Sequence, residues 1–226
     1  VIAGVGAGYR DVEFDAFGIP KHQRVPRLQE GIELLRLLLS QTNVTYEGEY
    51  YAVSGVTTSP RPNSTPPIWL AANATPAVER AARLADAWFV NPHATLEELA
   101  DQKKRYDAIR RRDDADTAVP VFREAVVAET RAAAEETAQE FLAPKYERYL
   151  SWGQDEAMDD GATLHGSFEE LREDRFLIGT PADVVTELER YDAALDISHA
   201  ILRTHWPGMP AERSCLSIEL LADQMA

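Results

Sequence analysis

Short apolar runs alternate with amphipathic stretches along most of this 226-residue chain. The first run, residues 1–5, is too short for a helix and reads as a strand ending in the small residues Gly6, Ala7 and Gly8. Leu28, Ile32, Leu35 and Leu39 recur at helical spacing and predict an amphipathic helix over residues 24–40. Residues 46–53 read as a surface hairpin strand, and the Pro- and Ser-rich residues 59–67 as a loop. A buried strand follows at residues 67–72, then a turn of small residues at Ala72, Asn73 and Ala74. Thr75-Pro76 reads as an N-cap followed by proline at the first helical position, opening a helix over residues 76–84. The next strand, residues 87–90, stops at Asn91-Pro92-His93.

The second half repeats the pattern. A helix over residues 95–112 carries acids early and bases late, as the helix dipole prefers. A polar turn at residues 113–116 separates it from an apolar segment at 119–128, and an Ala/Glu-rich helix follows at 131–142. Residues 151–166 show no periodicity and read as a mobile insertion. Thr180-Pro181 caps a helix to about residue 195, the last strand spans residues 199–203, and a final helix covers 211–224.

Strands alternating with helices in this way build a parallel sheet from βα units, either doubly wound or a (β/α)₈ barrel. A chain that begins inside a strand favours a TIM-barrel type, with strands four to eight present and the whole of residues 1–226 forming one barrel domain. Barrel chemistry sits at strand C-termini, which singles out residues 6–10, 72–75, 91–93 and 203–206. Free backbone N–H groups and the dipole at the helix beginning near Thr75 favour a phosphate there, although an ordinary capped βα loop has the same outline.

Composition narrows the partners. With 38 acidic against 23 basic residues the net charge is −15, which argues against nucleic acid or an anionic membrane surface. No apolar run approaches the roughly 20 residues of a membrane span. Cys215 is the only cysteine, so an intrachain disulfide and a Cys-based metal cluster are excluded, and a reducing cytoplasm is the natural setting. Only Lys21, Lys103, Lys104 and Lys145 are lysines, which suits either a high-salt cytoplasm or a GC-rich genome. The five histidines show no metal-ligand clustering, and Gly4-Val5-Gly6-Ala7-Gly8 lacks the third glycine of a dinucleotide fingerprint.

Residues 1–10, Glu13-Phe14-Asp15-Ala16-Phe17-Gly18 and Arg27-Leu28-Gln29-Glu30 resemble the middle of the bacterial luciferase-like monooxygenase family. So do residues 66–88 and Gly179-Thr180-Pro181 with its helix. The resemblance implies a barrel holding FMN, or in one branch a deazaflavin coenzyme, at its C-terminal face. It places the cofactor phosphate on Gly6, Ala7, Gly8 and Tyr9 together with Asn73, Ala74 and Thr75. Luciferases place an arginine at the position of Ala7 and an acidic residue at that of Asn73, so neutralisation shifts to N–H groups and Arg10. The resemblance further implies a flavin-dependent monooxygenase acting on a small organic substrate, commonly a homodimer and served by a flavin reductase. A deazaflavin-dependent hydride-transfer enzyme and a non-catalytic flavin-binding relative are the alternatives. His205 and His93 are the candidate proton-transfer groups, because imidazole titrates near neutrality. Asn91, Arg203 and Trp206 are candidates for the substrate mouth.

Overall fold

The computed structural model describes residues 1–111, 116–159 and 164–225. Its centre is a curled sheet in which every strand pairing is parallel. β1 (Ala3–Val5), β4 (Ile68–Ala72), β5 (Ala87–Val90), β6 (Val119–Val127) and β8 (Ile197–Arg203) run in the spatial order β1-β4-β5-β6-β8. A short β7 (Leu177–Gly179) adds to the C-terminal end of β6. The result is a half-barrel of five principal strands, the (β/α)₈ type expected. β2 (Val44–Glu47) and β3 (Ala52–Val56) stand apart as an antiparallel ribbon, so the single strand expected at residues 46–53 is the turn region of a true hairpin.

Alternation decides which face is packed. Along β4, Ile68, Leu70 and Ala72 are buried while Trp69 and Ala71 between them are half-exposed. The buried set joins Val78, Ala81 and Ala82 of helix α3 (Thr75–Leu84) in one core. A strand whose two faces differ in this way has one side under helices and the other lining the barrel interior. On that inner face Trp69, Phe89 and Phe122 stack across three strands with centroids 6.1 and 6.0 Å apart. His199 of β8 meets the edge of Trp69 at 5.1 Å.

Helices α1 (Asp11–Ala16), α2 (Arg24–Ser40), α4 (Leu96–Arg110), α8 (Pro181–Leu195) and α9 (Ala211–Met225) complete the outer layer. Thr95 and Thr180 each close a capping box, with Glu98 and Asp183, so these two starts fall where the cap chemistry puts them. The helix expected at 131–142 instead runs on. α5 (Arg131–Thr137) passes through a π-helical turn, Ala138–Leu142, into α6 (Ala143–Ser151). Pro144 falls directly after the π-helical turn, where the regular i→i−4 ladder is already interrupted, and so does not end the helix. Of the residues expected as an insertion, Gln154 and Met158 are buried and Leu164 has no exposed surface, and a further helix α7 (Phe168–Arg172) follows. The expected turn at 113–116 lies largely outside the described residues, as do residue 112 and residues 160–163.

One buried hydrogen bond ties the core to the functional loops. Trp88, fully buried in β5, donates its indole N–H to the carbonyl of Ala72 at 3.0 Å, where β4 turns into α3. Replacing Trp88 by Phe leaves that carbonyl unsatisfied beside a small void. The expected loss is about 2 kcal/mol of unfolding free energy, read as a lower urea midpoint at unchanged slope. An unchanged midpoint shows that Ala72 has another donor.

Candidate functional site

The C-terminal ends of β1, β4 and β5 meet at a cleft of about 480 Å³. Gly6, Ala7, Gly8 and Tyr9 form one wall; Asn73 and Ala74 form the second; Asn91 and His93 close the end, with Arg203 on the far side. Gly8 has φ of +73°, and a Cβ there would come within 3.1 Å of the Phe14 ring, so the turn after β1 depends on that glycine. Three of the sequence-selected loops, with Arg203 of the fourth, are thus brought to one place, although they are up to about two hundred residues apart in the chain.

The turn after β4 is held rigidly from behind. Gln102 of α4 donates to the Asn73 carbonyl at 2.6 Å, and Asn91 donates its side-chain amide to Asn73 Oδ1 at 2.9 Å. With Trp88 on Ala72, each residue leading into α3 has a fixed partner. This positions α3's N-terminus without help from the ligand.

Thr75 is not the N-cap. Ala74 occupies that position, with no side-chain cap, and Thr75 is the first helical residue. Its backbone N–H and hydroxyl both donate to the carboxylate of Asp159, at 2.8 and 2.5 Å, and Gln102 adds a third donor at 3.0 Å. Burial pushes the Asp159 carboxyl up, but the Thr75 and Gln102 hydrogen bonds outweigh it and hold the group below the usual carboxylate range. A protein anion therefore sits on the dipole that the sequence suggested for a phosphate.

Positive charge comes from two residues that sequence reasoning missed. Arg24, at the start of α2, and Arg80, in the second turn of α3, both line the cleft beside Gly6 to Tyr9. Among the described residues neither has a carboxylate within ion-pair distance. Desolvation first, then the neighbouring cations Arg24 and Arg83, lowers the Arg80 guanidinium from its ordinary value. Arg10, the expected neutraliser, is engaged elsewhere: it pairs with Glu13 at 2.8 Å and lies over the Trp152 ring at 4.2 Å.

His93 is buried in the cleft wall, and its Nδ1 has no hydrogen-bond partner among the described residues. Burial, reinforced by the nearby Lys145, Arg123, Arg203 and Arg175, pushes the imidazole down to about 3. It is therefore neutral at physiological pH, able to accept or donate one hydrogen bond but not to serve as a charged acid. His205 and Trp206 fall outside this cleft, in an adjoining cavity. His205 is exposed and bonded to the Met209 carbonyl at 3.1 Å, whereas Trp206 is buried and donates to Glu124 at 2.9 Å. Glu124 has no exposed surface; Lys145 is bonded to it, and Arg203 lies 3.7 Å away. Burial brings the Lys145 ammonium down to about 8 despite the pull of Glu124. Among the described residues no group of three or more His, Cys, Asp or Glu is placed to hold a metal, and no helix is long and apolar enough to cross a membrane.

The luciferase-like monooxygenase family matches residues 1–196. The chain belongs to that family. Among curated relatives, the F420-dependent glucose-6-phosphate dehydrogenase of Intrasporangium calvum is 32% identical over 107 residues, 45% of this chain and 32% of that protein. The match to that relative thus spans about a third of its length. Among solved structures, the monooxygenase RslO1 from Streptomyces bottropensis superposes with a TM-score of 0.84 at 20% identity, over 99% of this chain and 67% of that one. The FMN-bound oxygenating constituent of 3,6-diketocamphane monooxygenase from Pseudomonas putida gives 0.73 at 18% identity, over 98% and 70%. At these identities the structural likeness establishes the fold.

The neutral state of His93 has a measurable consequence. The unfolded chain takes up a proton near pH 6.5, while the folded chain resists until about pH 3. Stability from this residue is complete above pH 6.5 and falls as the pH drops below it, at up to about 1.4 kcal/mol per pH unit. Urea unfolding at pH 6.5, 5.5 and 4.5 is expected to show this decline in the native chain and a flatter one in His93→Gln. Parallel curves would mean that His93 is already charged in the fold.

Proposed function

We propose that the chain is an oxidoreductase that holds the phosphate of a flavin-type coenzyme between Arg24, Arg80 and the turns at residues 6–9 and 73–74. The observation that carries this reading is the pair of guanidiniums lining one cleft with no carboxylate among the described residues to neutralise them. Two like charges held together cost free energy unless an anion joins them, and a phosphate offers enough oxygens for both arginines and the adjacent N–H groups. The residues present fit such a group: the turns bring backbone rather than bulk to the cleft, and His93, whose Nδ1 has no partner among the described residues, belongs to its wall.

When bound, FMN would supply oxygen activation for monooxygenation of a small organic substrate. This chain's residues would bind and orient the coenzyme, with His93 as a neutral hydrogen-bonding group. The deazaflavin reading, with hydride transfer in place of oxygen chemistry, is favoured by the relative named as F420-dependent. A homodimer and an external flavin reductase would complete the FMN system. A binder without chemistry would keep the same phosphate site.

Fluorescence titration separates these cases. FMN, the deazaflavin coenzyme and riboflavin, which lacks the phosphate, are titrated in turn. Arg80→Ser is expected to weaken binding of the phosphate-bearing coenzyme at least about tenfold while leaving riboflavin unaffected. Equal FMN and deazaflavin affinities in the variant and the parent would sink the assignment. Oxygen uptake with reduced FMN and candidate aldehydes or ketones, above that of free flavin, distinguishes an oxygenase from a binder.

Asp159 gives an independent check. Its carboxylate lies on the same helix end that faces the bound phosphate, so Asp159→Asn removes a competing negative charge. The variant is expected to bind FMN several-fold more tightly at low salt, with the gain shrinking as salt is raised. No gain at low salt would place the phosphate beyond the reach of this helix end.

A further inference from the structure

A second cavity adjoins the coenzyme cleft. It encloses about 580 Å³, and Tyr149 and Arg203 line both it and the coenzyme cleft. Three cations, Lys145, Arg148 and Arg203, face it, and no carboxylate is among its lining residues. In a chain of net charge −15 this is a local reversal of sign.

The charges are only partly spent within the protein. Glu124 lies behind the wall with no exposed surface and is taken up by Lys145 and by the Trp206 indole. Arg203 reaches it only at 3.7 Å and otherwise lies over the Phe122 ring at 4.9 Å. Arg148, exposed on α6, has no ion-pair partner among the described residues. The rest of the lining is mostly apolar, Phe141, Pro144, Trp152, Trp206 and Pro207, with Tyr149 and His205 as its uncharged polar members.

The geometry points to this cavity as the binding site for an organic anion, an apolar ring-sized body carrying a carboxylate or phosphate that Arg148 and Arg203 engage. The apolar body lies along the Trp152 and Trp206 walls, where burial of its surface supplies affinity, and the anionic group sets its direction. Guanidinium groups suit this role because they form charge-assisted, often bidentate, bonds to carboxylate and phosphate. The shared Tyr149 and Arg203 wall brings the ligand's other end toward the coenzyme cleft. Calling the ligand a substrate rests on the coenzyme reading above; its binding does not.

The test uses the chain without coenzyme and follows binding by calorimetry and by Trp fluorescence. The probes are 3-phenylpropionate and 3-phenylpropanol, which share a body and differ in charge. The acid is expected to bind at least about tenfold more tightly than the alcohol, with affinity falling as salt is raised. Arg148→Gln is expected to remove most of that preference while leaving alcohol binding, thermal stability and FMN affinity as they were. Arg203→Gln is expected to act in the same direction. Equal binding of acid and alcohol, or an acid preference that survives both substitutions, overturns the proposal. Loss of deazaflavin binding in Arg148→Gln without loss of phenylpropionate binding also overturns it, by giving the cavity's cations to the coenzyme. Failure of FMN and the deazaflavin to bind the parent chain, with phenylpropionate still bound, would remove the coenzyme reading and leave this site standing.

Discussion

A carboxylate without exposed surface fixes the geometry around which both cavities form. Glu124 projects from β6 and is bonded to Lys145 of α6 and to the indole of Trp206, in the segment after β8. An ionised carboxylate stripped of water is tolerated only when opposite charge and hydrogen-bond donors replace the solvent, and here the donors come from two separate elements. Because those elements must both reach Glu124, α6 is drawn down over the end of the sheet and the chain after β8 is drawn inward. Tyr149, one turn beyond Lys145, then stands between the cleft and the second cavity, and Arg203 stands opposite it. The packing of Lys145 over Tyr146 and Tyr149, at 5.2 and 4.7 Å, makes this corner an aromatic and cationic cluster.

The same economy of charge runs through the coenzyme cleft, with opposite outcome. Asp159 satisfies the first donors of α3, and the cost of holding its carboxylate there is offset by three hydrogen bonds. Arg24 and Arg80 receive no such partner. A fold that places carboxylates on many of its surface arginines, as with Arg172 and Arg190, yet leaves two in one cleft without a carboxylate among the described residues, concentrates positive potential where an anion can use it.

Much of the scaffold was readable from local pattern, because strands, helix starts and small-residue turns are set by nearby residues. The helix starts expected near Thr95 and Thr180 hold, and each is closed by a capping box whose partners lie three residues apart. Thr75 lacks that partner, since Val78 stands three residues on; its side chain is claimed instead by Asp159, 84 residues away, and the cap shifts to Ala74. Arg24 and Arg80 were not legible for the same reason: each sits on an ordinary helix, and their shared cleft exists only once α2 and α3 pack on neighbouring strands. The neutral state of His93 was equally hidden, since burial beside four cations is a property of the assembled corner. The histidine itself was found because it follows a strand end, where a barrel puts its chemistry.

Period-two alternation along β6 separates the two charged residues that sequence places side by side. Phe122 and Glu124 share the barrel face, as the contacts of Phe122 with Phe89 and of Glu124 with Trp206 show. Arg123 between them points to the helix layer, lies over Tyr191 of α8 at 4.6 Å and donates to the Asn91 carbonyl at 2.7 Å. The pairing of Glu124 with Arg203 in the parallel register with β8 then puts acid and guanidinium on one face at the strand ends. A slip of one residue would carry Glu124 into the helix layer and Arg123 into the barrel, exchanging a site carboxylate for a structural cation. The register of a single strand therefore holds the Glu124 cluster, the Asn91 turn and the orientation of Arg203 together, and none of the three can change alone.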